Sequence, residues 1–295
     1  MNLKLREVQA NGIRLCVREW GERGAPQVVL IPGTGLAAAL FAGVERILAP
    51  AWHGFTIDRR GQGMSGKPDA GYDFQDFADD LLALVESLDI HDAIAIGHSA
   101  GGTDLLLAAG ADSTRWRRLA VLEPTVQDPR HPPLPQTDPP VGQDVFERTI
   151  RRRDTYPSFE AAYERFRASP LYSRAPEAAL RTYLREAFVL QKDSSVSLRC
   201  PPQIEAQMLR PIVQAMEHRY HPPDGRGDPF EQIRAIRLPA TIVTTGLSDD
   251  IYRKMASIAT ALIPGAATLH FADAGHLLPL DHPERVAALT GEPGT

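Results

Sequence analysis

The stretch "AIAIGHSAGG", Ala93 to Gly102, decides the fold. Its first four residues are small or branched and apolar, which suits a strand buried in a sheet. They run straight into a serine held between Gly97 and Gly101, and "TDLLLAAGA" beyond it reads as an apolar helix. Gly97-His98-Ser99-Ala100-Gly101 is thus G-x-S-x-G in a strand–turn–helix setting, the context a nucleophile elbow requires. The glycines have a steric reason. A serine in a strained turn lifts its Oγ clear of the sheet, and the positions two before and two after pass too close to other backbone to carry a side chain. The helix that follows at once turns its N–H groups and positive dipole end toward the reacting centre. Five loosely specified positions also arise by chance, so the flanking strand and helix carry the reading.

Working outward, the strand-like segment "IRLCVREWG" is followed by "VVLI" (Val28 to Ile31), a continuous apolar run bounded by turn residues, as in a strand covered on both faces. "LFAGVERILA" has helical spacing, and "GFTIDRRGQG" reads as a strand ending in a Gly-rich turn. In "FQDFADDLLALVESLDI", Phe74, Phe77, Leu81, Leu84, Val85 and Leu88 share one helical face. "LAVLEP" is a strand ending at Glu123. Strands alternating with helices predict an α/β fold, a mainly parallel sheet with helices on both faces.

The alternation stops at Pro124. "DPRHPPLPQTDPP" (Asp128 to Pro140) is too proline-dense for helix. Helical segments without clear strands follow at 143–154, 158–168, 176–189 and 202–218. Sheet-type sequence resumes with "ATIVTTG", helix "IYRKMASIATALI", strand "ATLHFADAG" and a last helix "PERVAAL". The expected organisation is a core of residues 1–124 and 229–295 interrupted by a helical cap, 125–228.

Composition narrows the function. The chain has 295 residues, 43% of them hydrophobic, and a formal charge of −5, which gives no basic surface for nucleic acid. Its two cysteines, Cys16 and Cys200, make neither a disulfide framework nor a metal-ligand spacing. The start shows no apolar signal region, and no run approaches the ~18 apolar residues of a membrane span. A cytoplasmic location, no metal and no cofactor are expected, and a monomer and a homodimer both fit.

A serine alcohol needs a base at neutral pH, and on such an elbow the chain order is Ser, acid, His. His276, on a Gly-led turn after the last strand, is the best base. His282 reads as a helix-entry residue, His270 lies within a strand, and His98 points away from the site if Ser99 points into it. For the acid, Asp249 follows "TIVTTG" at the carboxyl edge of the sheet, where ligand sites form. Glu123, at the end of an earlier strand, is the alternative, with Asp250 behind both. The oxyanion hole needs two aimed N–H groups. Ala100 supplies one, and Thr34 in Pro32-Gly33-Thr34-Gly35 the other, since Pro32 has no N–H.

Together "VVLIPGTG", "IDRRGQGMSGKP", "GHSAGG", "GLSD" and "AGHLLPLDHPERV" resemble the α/β-hydrolase superfamily. The resemblance implies an eight-stranded, mostly parallel sheet, a cap after the sixth strand and hydrolysis through an acyl-enzyme, and its cap is similar to those of esterase- or lipase-like members. It carries over as Ser99 nucleophile, His276 base, Asp249 acid, and Thr34 and Ala100 amides. One position departs: Pro32 stands where the family usually has a histidine that braces the oxyanion loop. Ser99 argues against the dehalogenases and epoxide hydrolases of this fold, which use Asp there. The expected activity is hydrolysis of a carboxylic ester or lactone. Carbon–carbon bond hydrolysis of a diketone, cofactor-free perhydrolysis and ligand binding without turnover are the alternatives. Cap aromatics such as Phe159, Tyr163 and Phe166 suggest an apolar substrate, although their spacing also suits packing within the cap. Arg151 to Arg153 read as a solvated helix end.

Overall fold

A computed structural model describes residues 2–128, 141–223 and 227–291, with side chains from 145 onward in the second segment. Most of the proline-dense tract lies outside these residues. The strands of the main sheet are β1 (Leu3–Ala10), β2 (Ile13–Gly21), β3 (Gln27–Ile31), β4 (His53–Asp58), β5 (Ala93–His98) and β6 (Trp116–Leu122). Three short strands of the insert follow: β7 (Thr155–Tyr156), β8 (Phe188–Leu190) and β9 (Val196–Leu198). The main sheet is completed by β10 (Ala240–Thr245) and β11 (Ala267–Phe271). Its order is β1-β2-β4-β3-β5-β6-β10-β11, antiparallel at the β1 edge and parallel from β4 to β11. This is the expected α/β-hydrolase architecture. The first strand lacks a clear sequence signature because it is an edge strand whose side chains mostly face water.

Alternation along the inner strands sorts the core into two layers. Val29, Ile31 and Ala95 pack with Leu81, Leu84 and Val85 of α2 (Phe74–Ser87) and Leu105 and Leu106 of α3 (Ala100–Ala111). Val28, Leu30, Ile94 and Ile96 face the opposite layer with Leu40, Phe41, Trp52 and Val44 of α1 (Ala42–Leu48), a layer continuous with Tyr163, Tyr183 and Leu184 of the insert. The predicted apolar face of α2 is buried except at its end, and Asp73 and Asp76 close its first turn as a capping box.

Between β6 and β10 the chain forms α4 (Val141–Ile150), α5 (Phe159–Arg167), α6 (Glu177–Ala187), α7 (Pro202–Met216) and α8 (Phe230–Ile233). The insert also holds a small antiparallel sheet, β7-β9-β8, where a purely helical cap was expected. "FVL" and "VSL" are too short to show a strand period, yet Gln191 and Ser195 close a tight turn between them, with Ser194 at φ 68°. Among the described residues no helix is long and apolar enough to cross a membrane.

Candidate active site

Ser99 follows the last residue of β5 and precedes α3, at φ 53° and ψ −126°, a backbone region that non-glycine residues avoid. Its neighbours show why glycine is needed. A Cβ on Gly97 would lie 2.6 Å from the Gly102 Cα, and one on Gly101 would lie 2.4 Å from the Pro32 carbonyl oxygen. Ser99 is 8% exposed. Among the described residues, neither the Ala100 nor the Thr34 N–H donates to a protein acceptor.

The loop carrying Thr34 is gripped from below. Gln62, wholly buried, donates from Nε2 to the carbonyls of Gly33 (3.0 Å) and Leu36 (2.6 Å). Its Oε1 accepts from the Gly35 N–H at 3.0 Å and from Arg59 at 3.2 Å. Gly33 is pressed so close that a Cβ there would meet the Ser99 Cβ at 2.8 Å. Gln62 thus does the bracing that Pro32 cannot. It sits in the "DRRGQGMS" turn, whose sequence gave no sign of which side chain reaches the loop.

The chain brings His276 to Glu123 and not to Asp249. His276 Nδ1 lies 2.7 Å from Glu123 Oε2. Glu123 Oε1 accepts from the Thr245 N–H (2.9 Å), the Thr245 hydroxyl (2.8 Å) and the Ser248 hydroxyl (2.5 Å). The carboxylate is 1% exposed, and its residue adopts φ 47° at the end of β6. Burial pushes its pKa up, but the hydrogen bonds from His276, Ser248 and Thr245 outweigh this and hold it below the ordinary value. The expectation for Asp249 is corrected by its local geometry. It is the exposed N-cap of α9 (Asp250–Leu262), and its side chain accepts from the Ile251 N–H at 3.2 Å. The unpaired amides of a helix start take a carboxylate placed immediately before them. Asp250 pairs with Arg253.

His276 is anchored by two further residues the sequence did not reveal in this role. His98, beside Ser99, lies with Nε2 2.8 Å from the main-chain oxygen of His276, a contact that requires Nε2–H as donor. Burial, with the nearby His276 second, depresses the His98 pKa to about 3, so its ring is neutral and keeps this tautomer. The loop of His276 is therefore fastened to the elbow itself, with the two imidazole centroids 4.7 Å apart. The Tyr252 ring stacks on His276 at 3.9 Å and 20°. His282 lies between α10 (Leu278–Asp281) and α11 (Pro283–Ala287), and His270 bonds Thr244 on β10.

The comparisons agree with this fold. A model described as the alpha/beta hydrolase family matches residues 28–289, and the chain belongs to that family. It is similar to the non-heme chloroperoxidase CPO-A1 of Kitasatospora aureofaciens, 36% identical over 113 residues, 38% of this chain and 40% of that one. A 2-(acetamidomethylene)succinate hydrolase of Mesorhizobium japonicum is 35% identical over 104 residues, 35% of this chain and 37% of its own. The matched segments thus span less than half of these relatives. A crystal structure of an E-2-(acetamidomethylene)succinate hydrolase superposes with a TM-score of 0.79 at 21% identity, covering 98% of each chain, a likeness of fold.

Proposed function

We propose that the protein is a serine hydrolase of carboxylic esters or lactones, with Ser99 as nucleophile, His276 as base and Glu123 as acid, and the insert 125–228 as its cap. The observation that carries this reading is the 2.7 Å contact between Glu123 and His276 Nδ1, on a loop that His98 ties to the Ser99 turn. With its Nδ1 proton directed at Glu123, His276 keeps Nε2 as the acceptor. Ser99 Oγ attacks the ester carbon while its proton passes to Nε2. The Thr34 and Ala100 amides receive the developing oxyanion. Collapse breaks the carbon–oxygen bond, and the imidazolium returns the proton to the leaving alcohol. Water then attacks the acyl-enzyme by the same route, freeing the acid and restoring Ser99. Glu123 keeps the imidazole in its tautomer and stabilises its charged form.

Membership in a hydrolase family supports turnover, and likeness to a relative named as a hydrolase points the same way. A fluorophosphonate probe tests the enzyme reading against a protein that only binds. Wild type is expected to label and Ser99→Ala not to. A folded wild type that neither labels nor cleaves short p-nitrophenyl esters would be a binder. A vinylogous diketone assayed beside those esters separates carbon–carbon from ester cleavage.

A further inference from the structure

The cap encloses a small cavity of about 20 Å³, room for about one water, against the oxyanion loop. Gly35 and Ala37 form its floor, and Arg152, Tyr172, Arg199 and Cys200 are among its walls. Gly33 touches Ser99, and Gly35 is two residues further on, so the cavity begins within about 7 Å of the elbow along the chain.

Two arginines line it, and the one carboxylate set against its Gly35 floor, that of Glu205, is neutralised by the first of them. Arg152 is committed, since its two terminal nitrogens pair with both oxygens of Glu205, whose carboxylate rests on the Gly35 Cα. That pairing occupies Glu205 as fully as it occupies Arg152. Arg199 is different. Its Nε is buried without a hydrogen-bond partner, and among the described residues its guanidinium makes no ion pair. Lys67 bonds the carbonyl of Gly63, another lining residue, at 3.0 Å. Burial pushes the Cys200 thiol well above its usual range, so it contributes no charge. A buried donor without a partner is costly, and a planar guanidinium matches a carboxylate in two parallel hydrogen bonds.

The cap aromatics serve two purposes. Tyr156, Phe166, Tyr172 and Phe188 pack edge-to-face or tilted on one another, and Tyr172 stacks on Tyr183. Phe166, Tyr172 and Tyr183 also line the cavity with Leu198, so an apolar wall faces the arginines across it.

We infer that the substrate is an ester bearing a carboxylate, such as a half-ester of a short dicarboxylic acid, and that Arg199 holds that carboxylate under the cap. The inference takes the bond that breaks from the hydrolase reading, while the anion site can be tested without turnover. Monomethyl succinate and methyl butanoate differ by a carboxylate in place of a methyl, and kcat/KM for each is measured in a pH-stat. Wild type is expected to favour the charged ester at least tenfold, and Arg199→Met to reduce that ratio at least tenfold, with Arg199→Gln as a second variant should the first fold poorly. A wild-type ratio near one, or a ratio unchanged in the folded variants, overturns the anion site. Calorimetry of succinate against butanoate on Ser99→Ala provides the second arm. Selective succinate binding, weakened at least tenfold by adding Arg199→Met, upholds the site even if neither ester is cleaved, and that outcome sinks only the ester reading. Succinate binding no tighter than butanoate sinks the site alone.

Discussion

Replacing Glu123 by Gln tests the acid assignment at its most exposed point. The carboxylate accepts four hydrogen bonds, three on Oε1 and one on Oε2. An amide of the same shape has one accepting end. If its NH₂ faces His276, Nδ1 must become an acceptor, the proton moves to Nε2, and the base is lost. If the NH₂ faces the other way, it meets the fixed Thr245 N–H, a donor against a donor. Neither orientation satisfies the site, and the negative charge that steadies the imidazolium is gone in both. A wrong tautomer in a triad of this type lowers kcat about 10⁴-fold, so a fall of about 10³- to 10⁴-fold is expected, roughly 4–5.5 kcal/mol in the barrier. Asp249→Asn keeps an equally good N-cap and should change kcat less than about twofold, within the ±0.5 kcal/mol typical of surface changes. The assay is kcat on p-nitrophenyl butyrate for both variants, with urea unfolding to show that each is folded. A larger loss for Asp249→Asn than for Glu123→Gln would refute the assignment.

Four further outcomes follow from the same geometry. His98→Gln keeps a donor for the His276 carbonyl and should retain kcat within about tenfold, whereas His98→Leu frees the loop and should lose about 10²-fold, the cost of a misplacement near 1 Å; equal rates in the two variants would remove the tether. His98 also shapes stability against pH: its folded pKa of about 3 lies below the unfolded value near 6.5, so the unfolded chain binds the extra proton and stability falls as pH drops through that window, by at most about 1.4 kcal/mol per pH unit, and urea midpoints from pH 7 to 4 should fall less steeply in His98→Gln. Gln62→Leu strands the Leu36 carbonyl and the Gly35 amide of the Thr34 loop, leaves the Gly33 carbonyl only its bond from the Leu36 N–H, and should cost about 2–5 kcal/mol in urea unfolding together with a drop in kcat, while unchanged stability would show that the loop holds itself. Tyr252→Leu removes the stacked ring and should lower kcat about three- to tenfold, from the ~0.5–1.5 kcal/mol of such a pair, with Tyr252→Phe close to wild type.

The sheet was legible because its inner strands, "VVLI" and "AIAI", are apolar on both faces, and the elbow because its glycines answer a steric demand visible in five residues. β1 and the insert's small sheet were not, since an edge strand is free to be polar and three-residue strands have no period to read. The carboxylate partner of His276 was half legible. Sequence offered Asp249 and Glu123 at two strand ends, and choosing between them needed the left-handed turn at Glu123 and the three donors from Thr245 and Ser248 that collect on its carboxylate. A non-glycine residue gives no notice of a positive φ. Gln62, His98 and Tyr252 act across 29, 178 and 24 positions of chain respectively, on Gly33 and on His276, and no local pattern encodes such reach.

β11 is the outermost strand of the sheet, all five of its residues are exposed or half-exposed, and His276 hangs from the loop just beyond it. A margin of this kind is where a sheet frays first. Yet the residue is sewn to two interior strands, its carbonyl by His98 and its imidazole by Glu123, so its position is insured against the wear of the strand that delivers it. Amide exchange along β11 can accordingly run fast while catalytic turnover holds steady.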